Sequence, residues 1–183
     1  MNETLKVIAE RFSCRSFTDK KVDDANLQAI AQAAIQAPSG MNRQGWQVIV
    51  LKNQEIIADM EATGMAILKA QEDSSTYDRM MSRGGTMLYN APCMVIIAVP
   101  GGVGTTDCGI VAQNVALAAE SLGINTLHCG LLGMVFAGDK GEEFKQKLQF
   151  PEGYGFGLAV LLGYGTAQGM PHELNQDKIT VIA

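Results

Sequence analysis

Apolar residues recur every three to four positions over much of the chain, and at a few places this rhythm gives way to short runs of β-branched residues. Residues 4–12 place Leu5, Ile8 and Phe12 on one side of a helix. A polar turn at 19–23 ends in Asp23, a suitable N-cap. Leu27, Ile30, Ala31, Ala34 and Ile35 then form the stripe of a second helix. Pro38 stops it, because the residue before a proline is driven out of the helical region. Residues 46–51 alternate and are β-branched, which predicts a strand. A helix is predicted over 54–71, interrupted by Gly64. Residues 72–85 are polar and without a period, which reads as a surface loop with a short helix rather than a lid. Residues 94–99 are a continuous apolar run, hence a buried strand. Residues 107–122 are apolar nearly all round, as a central helix is, and Gly123 supplies its stop. Strands are predicted over 125–129, 156–164 and 178–182, with a short amphipathic helix over 139–148.

This alternation of helices and strands predicts a layered α+β or α/β arrangement. A chain of 183 residues without repeats reads as one domain spanning 1–183. The hydrophobic share of 47% and charged share of 18% are those of a globular protein and exclude disorder. A net charge of −5 without a basic run argues against nucleic acid or an anionic membrane as partner. No run of 18 apolar residues predicts a membrane span, and the polar N-terminal helix is not a signal peptide. Cys14, Cys93, Cys108 and Cys129 form no C-x-x-C pair, and two histidines offer few co-ligands, so no metal site is expected. Scattered thiols suit a reducing cytoplasm. Twenty glycines suggest tight helix packing and backbone close to a ligand.

Two segments carry candidate chemistry. In Arg11-Phe12-Ser13-Cys14-Arg15 an extended chain puts Arg11, Ser13 and Arg15 on one side. Two guanidinium forks and a hydroxyl suit a phosphate. The break at 37–46 bears Asn42 and Gln44, whose amides both donate and accept and so suit a heterocycle edge. Phosphate at one segment and ring edge at the other describe a mononucleotide. The glycines at 101–104 match neither the Walker nor the dinucleotide spacing and read as a flexible connection. Plainer roles compete. Ser39 serves as a turn residue, Asn42 and Gln44 as loop polars bonding their own backbone, and Asn114 as a satisfied buried amide. Cys129 reads as a small buried hydrophobe, Trp46 as core or interface, and His128 and His172 as structural or surface groups.

With these motifs, and with Asp107-Cys108-Gly109-Ile110-Val111-Ala112-Gln113-Asn114, Cys129-Gly130 and Gly163-Tyr164 in this order, the chain resembles the short members of the nitroreductase-like flavin oxidoreductases. The resemblance implies an α+β fold: a central, mostly antiparallel sheet wrapped by helices, in an intertwined homodimer with FMN at the subunit interface. It implies that Arg11, Phe12, Ser13 and Arg15 bind the flavin, phosphate included. It implies that Ser39, Gly40, Met41, Asn42 and Gln44 approach from the partner subunit, and that Gly130 and Leu131 lie near the ring nitrogen that carries hydride. No side chain is assigned as a catalytic acid, base or nucleophile, since the flavin carries the chemistry. NAD(P)H is the implied electron donor, and a nitroaromatic, quinone or similar small molecule the acceptor. The alternative is a low-turnover flavin-binding protein, an FMN reservoir or redox sensor. Two departures stand out. Gly45 occupies a position where the family usually has proline. The late phosphate-binding cation has only His172 or Lys178 as candidates.

Overall fold

A computed structural model describes residues 1–102, 106–166, 169 and 173–182. A four-stranded antiparallel sheet forms the middle layer, in the order β1-β2-β4-β3, with β1 at Gln47–Leu51, β2 at Cys93–Pro100, β3 at Asn125–Cys129 and β4 at Tyr154–Gly163. Successive side chains of a strand face opposite ways, and the cores follow that rule. Met94 and Ile96 of β2 join one apolar cluster, whereas Cys93, Val95, Ile97 and Val99 join the other. The first cluster is closed by α3 (Gln54–Ala70), α4 (Ser75–Ser82), α6 (Gly133–Ala137) and α7 (Gly141–Lys147). The second is closed by α2 (Asp24–Ile35) and α5 (Thr106–Ser121). β2 is buried along seven of its eight residues because both faces are covered, which explains its uninterrupted apolar run. In α5, Val111, Ala112, Val115, Ala116 and Ala119 are all fully buried, and their small size lets the helix lie close to the sheet.

The sequence expectations hold for the strands over 46–51, 94–99, 125–129 and 156–164, with β4 beginning two residues early at Tyr154. Elsewhere the structure differs. Helix α1 (Glu3–Glu10) stops short of Phe12, because Arg11 leaves the helical region with φ −56 and ψ 128. Gly64 does not interrupt α3. Its missing Cβ makes room for Met87, whose Sδ would stand 2.9 Å from a side chain there, and for Val135. Residues 133–137 form a helix that no pattern announced. Residues 178–182 form no strand. Gln176–Lys178 is a 3-10 turn, and the apolar residues after it are exposed. Part of the 101–104 connection lies outside the described residues. Among the described residues, no helix is long and apolar enough to cross a membrane.

Candidate functional site

Asn2 caps α1 by accepting from the Leu5 N–H at 3.0 Å, and the Arg11 N–H closes the helix on the Val7 carbonyl. The chain then runs extended beside β3: Ser13 pairs in parallel with Thr126, and the Cys14 N–H donates to the Thr126 carbonyl at 2.9 Å. Cys14 is buried and Phe12 packs against the same apolar cluster. Alternation therefore turns Arg11, Ser13 and Arg15 the other way, with Arg11 and Ser13 half-buried and Arg15 exposed. Among the described residues Arg15 is held only by a long bond, Nη1 to the Ser13 carbonyl at 3.4 Å, so its guanidinium can be re-aimed at small cost.

β3 leads from this pair of arginines to Gly130. From Thr126 to Gly130 is four residues, about 13 Å of strand. Gly130 is exposed, and a Cβ there would meet only Leu158 Cδ1, at 3.8 Å. Its φ lies outside the left-handed region. Neither packing nor backbone conformation requires a glycine at this point, so its surface is left open for a ligand to approach the main chain. Leu131 is half-buried against the core. The buried Cys129 thiol is pushed up by desolvation, opposed by the N–H groups of Leu132 and Leu131, which fold around the sulfur. Beside Gly130 opens a cleft of about 610 Å³, lined by Gly102, Gly133, Phe136, Phe156 and Lys145 among others. Phe136 and Phe156 stack there at 4.9 Å.

His128 lies in β3 between the arginines and Gly130. Burial depresses its basicity most, the Arg11 charge depresses it further, and a hydrogen bond to the Ala112 backbone opposes both. Glu120 is held up by burial, with Arg11 opposing and Glu10 adding. Its Oε2 is buried and has no hydrogen-bond partner among the described residues. From the sequence His128 reads as a structural or surface group, and Glu120 carries no signal. Their link to Arg11 depends on three elements meeting in space.

The amide-bearing segment is a tight exposed loop. Met41, Asn42 and Gln44 all have left-handed backbone, with φ of 53, 53 and 46. Left-handed residues other than glycine cost about 1–2 kcal/mol each. Opposing this are bonds within the loop worth about 1 kcal/mol apiece. The Asn42 N–H donates to the Ser39 carbonyl, the Arg43 N–H to the Gly40 carbonyl, the Gln44 N–H to Ser39 Oγ at 2.9 Å, and Gln44 Nε2 to Asn42 Oδ1 at 3.0 Å. The two sums nearly cancel. Ser39 thus serves the turn through its hydroxyl, whereas the Asn42 and Gln44 side chains bond each other rather than the backbone. Gly45 has open space around it. Trp46 is buried in the core behind the loop.

Two contacts from α5 tether this region. The Gly40 N–H donates to the Asp107 carboxylate, at 3.2 Å to Oδ2 and 3.4 Å to Oδ1. Asn114 Nδ2 donates to the Ala33 carbonyl at 3.0 Å, so Asn114 is indeed a satisfied amide. The structure thus brings Arg11, Ser13, Arg15, Gly130 and Leu131 along one strand edge and sets Ser39–Gln44 at the first turn of α5. Among the described residues no hydrogen bond or ion pair joins the two groups. His172 lies outside the described residues, and Lys178 is exposed in the 3-10 turn near the end.

Residues 8–164 match the nitroreductase family. A nitroreductase with bound FMN from Desulfitobacterium hafniense is 54% identical and superposes with a TM-score of 0.97, covering 100% of both chains. A nitroreductase with bound FMN from Bacteroides fragilis is 26% identical, with a TM-score of 0.89 over 100% of both chains. An FMN reductase (NAD(P)H) of Bacillus subtilis is 27% identical over 98% of this chain and 78% of its own. With the family pattern running through most of its length and the same overall fold, the chain belongs to the nitroreductase family.

Proposed function

We propose that this protein is an FMN-dependent NAD(P)H oxidoreductase that delivers electrons to a nitroaromatic, a quinone or a similar small acceptor. The observation that carries this reading is the strand edge on which Arg11, Ser13 and Arg15 stand at one end and an open, packing-free Gly130 at the other. The donor set suits a phosphomonoester at the arginines and a flat ring against the Gly130–Leu131 backbone. When bound, FMN supplies a ring that takes hydride from a reduced nicotinamide and yields electrons to the acceptor. The protein's part is placement and charge. Arg11 and Arg15 hold the phosphate with Ser13. Arg15, loosely tethered, can also turn toward negative charge on the ring. Phe12 braces the segment from the core side. The cleft beside Gly130, with its stacked phenylalanines, would receive the flat substrate.

Ser39, Gly40, Met41, Asn42 and Gln44 would complete the site from a second copy of this chain. The exposed apolar residues support such a homodimer: Leu5 and Ile8 on α1, and Val181 and Ile182 at 84% and 93% exposure. The test is to load the purified protein with FMN and titrate it anaerobically with NADH or NADPH. Bleaching of the flavin band, reversed by a quinone or nitroaromatic, is the expected result. Bound flavin that does not bleach would favour the reservoir or sensor, and a protein that cannot take up FMN would overturn both readings.

A further inference from the structure

We infer that α5 acts as the template that presents the 39–44 loop to the cofactor, with Asp107 as the positioning residue; this rests on the flavin reading above. Two side chains of α5 reach across to the preceding segment. Asp107 accepts from the Gly40 N–H at 3.2 and 3.4 Å, and Asn114 donates to the Ala33 carbonyl at 3.0 Å. They are seven residues apart, two helical turns, and so stand on one face. Asn114 grips the last turn of α2 and Asp107 grips the loop, on either side of the Pro38 break. The loop between them is held close to balance, because its left-handed residues Met41, Asn42 and Gln44 offset its internal hydrogen bonds. A single external contact can therefore decide whether it is ordered before the cofactor arrives. The Asp107 carboxylate is the only group beyond the loop's immediate flanks to bond its backbone N–H groups among the described residues. It also lies in the first turn of α5, where a negative charge is favoured. Asp107 need not touch the flavin. It acts through Gly40, and through Gly40 on the placement of Ser39, Asn42 and Gln44.

The test uses the full-length protein and two substitutions, Asp107→Ala and Asp107→Asn. The asparagine retains a carbonyl oxygen that can accept from Gly40, and the alanine does not. FMN affinity is read by fluorescence quenching, loop order by amide exchange at Gly40 to Gln44 without FMN, and folding by the melting temperature of the FMN-free protein. For Asp107→Ala the expected result is an FMN Kd raised roughly tenfold, faster exchange in the loop and little change in melting. For Asp107→Asn the expected loss is under about threefold. An unchanged Kd for Asp107→Ala would overturn the inference, as would equal losses in both variants or a loss that follows a collapse in melting temperature. If those outcomes occur while Ser39→Ala and Asn42→Ala still weaken FMN binding, the flavin reading stands and only the role of Asp107 falls. A wild-type chain that takes up no FMN would remove both.

Discussion

Replacing Arg11 with alanine separates what the fold needs from what the ligand needs. The fold uses the backbone at this position, where the Arg11 N–H ends α1 on the Val7 carbonyl, and alanine keeps that bond. Arg11 is half-buried, and its positive charge favours proton loss from both His128 and Glu120. A charge-assisted contact to a phosphate is worth about 1.5–3 kcal/mol. Its loss should weaken FMN binding by about 10- to 150-fold. Riboflavin has the same ring and no phosphate, so its affinity should be nearly unchanged. The comparison is made by titrating the protein's quenching of each flavin's fluorescence. A second readout comes from the His128 ring resonances. The Arg11 charge disfavours the imidazolium, so Arg11→Ala should raise the pH at which His128 titrates, although burial, the larger cause, still holds it down. FMN added to the wild type should move His128 the same way, because a phosphate dianion offsets the Arg11 charge. In Arg11→Ala that response should appear only at proportionately higher FMN concentrations. If Arg11→Ala leaves the FMN-to-riboflavin ratio intact, the phosphate assignment is wrong. If, in addition, saturating FMN leaves His128 unmoved in both proteins, the cofactor does not run along this edge of β3.

Three further outcomes concern the frame that holds the site. A Cβ at Gly141 would sit on the Phe136 carbonyl oxygen, and Phe136 is stacked between Phe150 and Phe156, so Gly141→Ala should cost about 3 kcal/mol and lower Tm by roughly 6–12 °C in a thermal melt. The Glu61 carboxylate accepts from the Met87 and Leu88 N–H groups at 2.6 and 2.7 Å; Glu61→Ala should cost about 2–3 kcal/mol and speed amide exchange at those two residues first, and unchanged protection there would refute the clamp. Burial pushes Cys93 up to about 12 and Cys108 to about 11 from an ordinary 9.0. The folded chain therefore keeps these protons where the unfolded chain releases them. Stability should fall as pH rises above 9.0, by about 1.4 kcal/mol per unit for each such thiol, in urea melts at a series of pH values. The buried thiols should also resist a thiol reagent at neutral pH until the protein is unfolded.

The parts of the fold that could be read from the sequence are those whose burial is decided nearby. β2 is apolar throughout because both its faces are covered, and the stripe of α2 faces one core, so an unbroken apolar run and a 3.6 period were visible without any knowledge of partners. The shared side of Arg11, Ser13 and Arg15 was legible from strand alternation, which separates these residues from the buried Cys14. Asp107 was not legible as a site residue, because its partner Gly40 lies 67 residues away and a carboxylate in a first helical turn already has a local explanation. Gly64 was misread for a related reason. Helix propensity counts a glycine as a break, whereas here the space it leaves is filled by Met87. The segment 178–182 is the most informative mismatch. Its apolar residues predict burial, and within a single chain Ile179, Val181 and Ile182 are exposed, as are Leu5 and Ile8 of α1. An apolar pattern says that a surface is to be covered and does not say which chain supplies the cover. The residues at which pattern and single-chain burial part company are therefore where cover from outside this chain is to be sought, and the proposed second copy is one source of it.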